Sequence, residues 1–270
     1  MANQLQKAFI FSALVVCAVW MAGPVQAQSA IDIRAGGYLY GNGLRVDNGG
    51  QGEDEKGAVL GGEANLSILG RSRYLALDVQ LTGFRFAGGE GGEWGLTPHG
   101  RAMLGAVLAP TRVCVPLVVA GGEAARAESI VQDESYLVRD DSTLRGGLGT
   151  HCNHGSVRWQ ATVESGYGAA GWGAEASTQV VPVAATLQLH SDLLFANGQA
   201  LWLLDDGGRF ASHTDLRVGL MAASLSPTFG VAVGAQLGHS LYPHEEFGQS
   251  RTLRAGVFLG LVTQPTKRSR

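Results

Sequence analysis

Lysine is nearly missing from this 270-residue chain, with only Lys7, Lys56 and Lys267. Charged residues make up 16% and the formal net charge is −3, so no cationic face for nucleic acid is implied. Cysteine is sparse at three residues, too few for a disulfide framework. After the first 27 residues no apolar run is long enough for a membrane helix, and no segment shows a convincing helical period. Proline is scarce at 8, whereas glycine is abundant at 40. Without a strict period, so much glycine excludes collagen and suits many short strands joined by turns.

The first residues form a unit of their own. "MANQLQK" ends in a positive charge, "AFIFSALVVCAVWMAG" is apolar, and Pro24 with "VQA" offers a small-residue cleavage site after Ala27. Residues 1–27 read as a cleaved export signal, and Val16 before Cys17 is too bulky for lipoprotein processing. About 240 residues remain, enough for one large β domain. Residues 28–270 are expected to form a single domain ending in a short basic tail, 264–270.

Period-two alternation dominates that domain. Leu75, Leu77, Val79 and Leu81 oppose Ala76, Asp78, Gln80 and Thr82, and Val157, Trp159, Ala161 and Val163 oppose Arg158, Gln160, Thr162 and Glu164. About twelve strands are predicted, near 30–40, 57–69, 72–86, 98–109, 111–121, 142–152, 155–168, 174–195, 199–205, 213–224, 227–241 and 251–263. Asn197-Gly198 reads as a two-residue hairpin turn. Short connections ("LGRS", "AP", "CNHG", "ANG", "SLSP") alternate with longer polar ones, among them Gly121 to Asp141.

Tyr38, Tyr40, Phe84, Phe86, Trp94, Tyr167, Trp172, Phe210 and Tyr242 cluster beside the longer connections, while Tyr74 and Trp159 lie beside short ones. Sorted loops and two aromatic girdles around a Leu/Val/Ala band resemble the Gram-negative outer-membrane β-barrel class, porin-like, over nearly the whole exported chain. The expected fold is therefore all-β, an up-and-down antiparallel transmembrane barrel of about twelve strands. The resemblance implies an outer-membrane location, contact with outer-membrane lipids and lipopolysaccharide, and insertion by the barrel-assembly machinery. The terminus "VTQPTKRSR" departs from the aromatic ending common in the class. Phe258, with Leu253, Val257, Leu259 and Leu261, is the internal candidate for that role.

One phrase recurs: "STLRGGLG", "TDLRVGL" and "RTLRAGVFLG". Alternation puts Leu144, Leu216 and Leu253 toward lipid and Arg145, Arg217 and Arg254 inside, because a charge on the lipid face near mid-bilayer costs roughly 2–4 kcal/mol. Gly147, Gly219 and Gly256 also face inward, leaving room for long arginines at similar depths. Arg101 and Arg158 join the lumen-facing set, with Glu63, Asp78 and Glu164 as candidate partners. These arginines either fill the interior as ion pairs or form an anion-attracting constriction.

Chemistry is thinner. His154 and Ser156 have the spacing of outer-membrane lipid hydrolases, but they fall in a short turn without an obvious orienting acid. His239, His244, Glu245 and Glu246 read as a solvated rim rather than a metal site. "GEDEK" and "QDES" read as solvated loops, and "GGEGGE" lacks the strand–loop–helix setting of a phosphate cradle. No cofactor, metal or catalytic residue is expected. Cys114 and Cys152 lie on neighbouring strands near one rim and are a disulfide candidate, although strict alternation sets them on opposite faces. The function expected first is a narrow porin-like diffusion channel with an arginine-lined interior. The alternative is a structural anchor for a trans-envelope machine of export or surface motility, with periplasmic or outer-membrane protein partners. An outer-membrane lipid-modifying enzyme suits these features less.

Overall fold

A computed structural model describes residues 30–48, 51–70, 73–86, 95–108, 113–131, 134–154, 156–171, 177–226, 229–244 and 248–263. The expected export signal, residues 1–27, and the expected basic tail, 264–270, lie outside the described residues. The strands are β1 (Ala30–Asn48), β2 (Gln51–Leu69), β3 (Arg73–Phe86), β4 (Gly95–Val107), β5 (Cys114–Val131) and β6 (Glu134–His154). They continue as β7 (Val157–Gly171), β8 (Ser177–Ser191), β9 (Leu194–Asp205), β10 (Phe210–Ser224), β11 (Phe229–His244) and β12 (Gly248–Thr263). Each pairs antiparallel with its chain neighbours, and β1 pairs with β12 to close the barrel. Closure leaves no sheet edge along the wall, the condition for strands to cross hydrocarbon.

Alternation sorts the side chains by face. Leu144, Leu148, Val163, Leu220, Leu253 and Val257 are outward and 60% or more exposed. This is an apolar belt without the burial a water-soluble sheet would need. The outward charged residues Arg73, Arg126, Asp140 and Arg251 sit toward strand ends. At one end of the barrel the strands are joined by short turns, and at the other the hairpins run long.

Several sequence expectations change. Gly121 to Asp141 is not a loop: β5 and β6 pair through Val131↔Glu134, while β4 stops pairing with β5 at His99↔Ala125. What reads as long loops is largely strand continuing past the rim, because polar residues satisfy a ribbon in water as readily as a loop. Asn197-Gly198 is no turn either. It lies inside β9 opposite Gln188 and Leu187, and the reversal comes at Asp192-Leu193. There the Ser191 hydroxyl accepts from the Leu194 amide at 2.8 Å and the Leu193 amide at 3.3 Å, supplying the turn chemistry locally.

Tyr74 and Tyr242 leave the expected girdles and are buried inside the barrel, where Phe258 is buried too. Tyr167 and Phe210 remain outward and exposed. The phrase glycines also have a different cause. A Cβ on Gly147 would lie 2.7 Å from the Glu164 Cα of β7, and one on Gly219 would lie 2.6 Å from the Val233 carbonyl oxygen and 2.9 Å from the Phe258 ring. Gly147 and Gly219 thus admit close approach of the neighbouring strand rather than an arginine side chain.

Cys114 and Cys152 form a disulfide. They are direct cross-strand partners with Cα atoms 4.0 Å apart. The expectation of opposite faces fails because the register pairs Cys114 directly with Cys152, and directly opposed residues point to one side of the sheet, here the face away from Leu117 and His151 near the short-turn end.

Candidate functional site

The barrel interior is layered. Near the short-turn end Leu69, Tyr74, Ala76, Met103, Leu117 and Val119 pack together. Beside them Phe195, Ala232, Phe258 and Val262 form a second cluster, in which the Phe195 and Phe258 rings meet edge to face at 5.4 Å. Toward the long-hairpin end, Ala170, Val180, Leu201, Leu203, Ala211 and Tyr242 pack against one wall. Between these apolar layers lies a layer of charge.

Glu164, on the inward face of β7, is 1% exposed and is the hub of the first group. Its carboxylate accepts from Arg101 of β4 and from the Thr162 hydroxyl at 2.6 Å, and Arg145 of β6 approaches it at 3.3 Å. Arg101 also donates to Asp78 at 3.3 Å, and Arg145 donates to Glu123. Glu123 in turn contacts His99 at 3.0 Å and accepts from Gln199 of β9 at 3.5 Å. Three carboxylates thus face two guanidiniums and an imidazole in a space that excludes most water. Burying any of these charges alone is unfavourable by several kcal/mol, so the pairs are mutually required.

A second group surrounds Arg217 of β10. Its guanidinium pairs with Glu63 of β2 and donates to Asp215 at 2.8 Å. Asp215 also accepts from Gln236 at 3.1 Å. Arg254 lies apart, its Nη2 3.1 Å from the His213 ring and donating to Ser240 at 3.2 Å. Arg158 is inward near the short-turn end, opposite His190 on β8 and outside both groups.

Many of these contacts bridge strands that are not neighbours. Arg217–Glu63 joins β10 to β2, Gln199–Glu123 joins β9 to β5, and Gln160 donates to the Tyr74 hydroxyl from β7 to β3. The longest chord is at the long-hairpin end. The Tyr242 hydroxyl of β11 accepts from the Asp140 amide and donates to the Asp140 carbonyl of β6, each at 3.2 Å. Asp140 lies just past the last β6–β7 pair, Asp141↔Ala170, so its backbone groups on that side need a partner, which Tyr242 supplies. The β5–β6 ribbon is thereby tied across the mouth.

All eight lumen candidates read from the sequence, Arg101, Arg145, Arg158, Arg217, Arg254, Glu63, Asp78 and Glu164, point inside. The three phrase arginines do not converge on one constriction, since each has its own polar partners. Sequence reasoning missed Glu123, Asp215, His99, His213, Gln199 and Gln236. Two of them left a signal. Glu123 continues the inward series Leu117, Val119, Gly121, and Asp215 stands two residues before Arg217, where the other phrases carry the inward Thr143 and Thr252. His154 and Ser156 are exposed at the short β6–β7 turn. Among the described residues no group of His, Cys, Asp and Glu is placed to hold a metal ion.

Among the described residues, the long-hairpin end carries an outlying ion pair between Asp205 and Arg209. The β9–β10 turn closes with Gly208 at φ 81°, and the Asp205 carboxylate accepts from the Arg209 amide and from its Nε, each at 2.6 Å. Burial pushes the Asp205 carboxyl upward, but these hydrogen bonds and the Arg209 charge outweigh it and hold the group below the usual carboxylate range.

No family model and no curated protein matches this sequence. Solved structures of similar shape are outer-membrane barrels. They include the translocator domain of the autotransporter NalP from Neisseria meningitidis (13% identity, 95% of this chain and 97% of that one, TM-score 0.38). The NanC porin is similar at 8% identity over 87% of this chain and all of the other (TM-score 0.42). The outer membrane phospholipase A from Escherichia coli is similar at 11% identity over 83% and 89% (TM-score 0.41). At such identities the likeness concerns shape alone.

Proposed function

We propose that this protein is an integral outer-membrane barrel whose lumen is shut at rest and which serves as a membrane anchor for a trans-envelope assembly. Its location is supported by the closed wall, the outward apolar belt and the division into short turns and long hairpins, with the short turns in the periplasm. The disulfide at the short-turn rim suits an oxidising compartment. The observation that carries the shut lumen is the set of cross-lumen chords, Arg217–Glu63, Gln199–Glu123 and Tyr242–Asp140, with the buried charge between them. An open diffusion channel needs hydrated interior side chains, whereas Arg145, Glu164, Arg217 and Gln236 are each 3% exposed or less. Outer-membrane lipids, the barrel-assembly machinery and a periplasmic or outer-membrane protein of the assembly are the partners of this reading.

A second reading, a narrow gated channel, is supported by the ionic layer itself, which would line an ion path if the chords opened. Single-channel recording of the folded barrel in a planar bilayer decides between the two. A silent, demonstrably inserted barrel is expected. Discrete openings whose ion selectivity shifts with Arg145→Glu and Arg217→Glu would replace the anchor with the channel.

A further inference from the structure

Above the ionic layer, toward the long-hairpin end, a different set of side chains meets. His213 of β10 and Ser240 of β11 are direct cross-strand partners, and the Ser240 Oγ lies 2.8 Å from the His213 Nδ1. Arg254 of β12 reaches up from one step below, its Nη2 3.1 Å from that nitrogen and 3.2 Å from the Ser240 Oγ. Gly238 makes this possible, because a Cβ there would lie 2.8 Å from the Arg254 Nε. His213, Ser240 and Arg254 are half-buried, unlike the sealed charges beneath them.

The guanidinium favours a neutral ring, since its Nη2 lies 3.1 Å from the His213 Nδ1 and 3.5 Å from Nε2 and a second cation there would be repelled. In the tautomer with the proton on Nε2, the single lone pair of Nδ1 is directed to the Ser240 hydroxyl 2.8 Å away. The Ser240 hydroxyl then donates to Nδ1 while accepting from Arg254. A hydroxyl polarised in this sense, with a base within hydrogen-bond reach and a cation beside its oxygen, is arranged as an activated nucleophile.

We propose that Ser240, His213 and Arg254 form an acyl-transfer site in the mouth of the barrel, taking small water-borne carboxylic esters. This departs from the expectation of a non-enzymatic barrel and is independent of whether the lumen conducts. The substrate class follows from position: the site faces the interior, so the barrel wall separates it from bilayer lipid. In the reaction the Ser240 Oγ attacks the acyl carbon as its proton passes to the His213 Nδ1, and the carbonyl electron pair moves onto oxygen opposite the Arg254 Nη2. Collapse breaks the ester bond, and His213 returns the proton to the departing alkoxide. Water then attacks the acyl-serine, giving its proton to His213. The second collapse returns that proton to the Ser240 Oγ, so ester and water yield acid and alcohol.

The test uses the folded full-length mature chain in detergent, with folding checked by heat-modifiable gel mobility. It is exposed to a fluorescent fluorophosphonate and, separately, to p-nitrophenyl acetate. The expected result is a single label on Ser240 and ester hydrolysis above that of Ser240→Ala. His213→Asn should slow labelling by roughly 100-fold or more, and Arg254→Gln by roughly 100-fold. The proposal is overturned if the folded wild type labels no faster than heat-denatured protein. It is equally overturned if Ser240→Ala labels as fast as wild type, or if His213→Asn leaves the rate unchanged.

Discussion

Removing the Glu164 carboxylate strips two buried guanidiniums of a shared partner. Its side chain is fully buried, and those of Arg101 and Arg145 are 5% and 1% exposed. Breaking a buried ion pair by deleting one side costs roughly 3–5 kcal/mol, because the remaining charge is left without solvent or counterion. Here the loss is partly offset, since Arg145 keeps Glu123 and Arg101 keeps Asp78. Glu164→Leu is therefore expected to destabilise the barrel by about 3 kcal/mol, the lower end of that range. With a urea dependence of about 2–3 kcal/mol/M, the unfolding midpoint should fall by about 1–1.5 M. The assay is equilibrium urea unfolding of barrel folded into lipid vesicles, followed by tryptophan fluorescence and heat-modifiable mobility. Adding Arg101→Met to Glu164→Leu should recover part of the loss, since the guanidinium left with one partner is removed and the Asp78 carboxylate then left behind is the better solvated of the two, 17% exposed against none for Glu164. A single variant within about 1 kcal/mol of wild type, or a double variant no better than the single, would refute the assignment of Glu164 as the hub.

Three further outcomes are expected. The denatured, unreduced chain should migrate faster on a gel than the reduced chain, and Cys114→Ser/Cys152→Ser should lose about 4 kcal/mol, the chain-entropy value for a cross-link spanning 38 residues. Unchanged mobility on reduction would contradict the bond. Tyr242→Phe removes both bonds to Asp140, worth about 1.5 kcal/mol locally, so limited proteolysis of the β5–β6 ribbon should speed up about tenfold while the barrel stays folded. Because the folded Asp205 carboxyl titrates below its unfolded value near ~3.9, its contribution is present above that pH and lost as pH falls through the folded value. Asp205→Asn should flatten the acid limb of the stability profile in that window, and an unchanged limb would show that Asp205 is not a source of it.

Sequence alone determined the wall. Alternation in "RYLALDVQLTG" and "SVRWQATVESGYG" assigns inward and outward faces without reference to any other strand, since a side-chain period of two is a local property of extended backbone. The inward setting of Arg145, Arg217 and Arg254 follows from the same period and the cost of charge in lipid. Only the tertiary structure decided what those residues meet. Glu164 with Arg101, Glu63 with Arg217 and Tyr242 with Asp140 are pairs across the lumen, and which residues share a level depends on the stagger of all twelve strands on closure. The same stagger sets Cys114 opposite Cys152 and brings His213, Ser240 and Arg254 together from three strands. No single strand carries that information, because register belongs to the pairing and not to either partner.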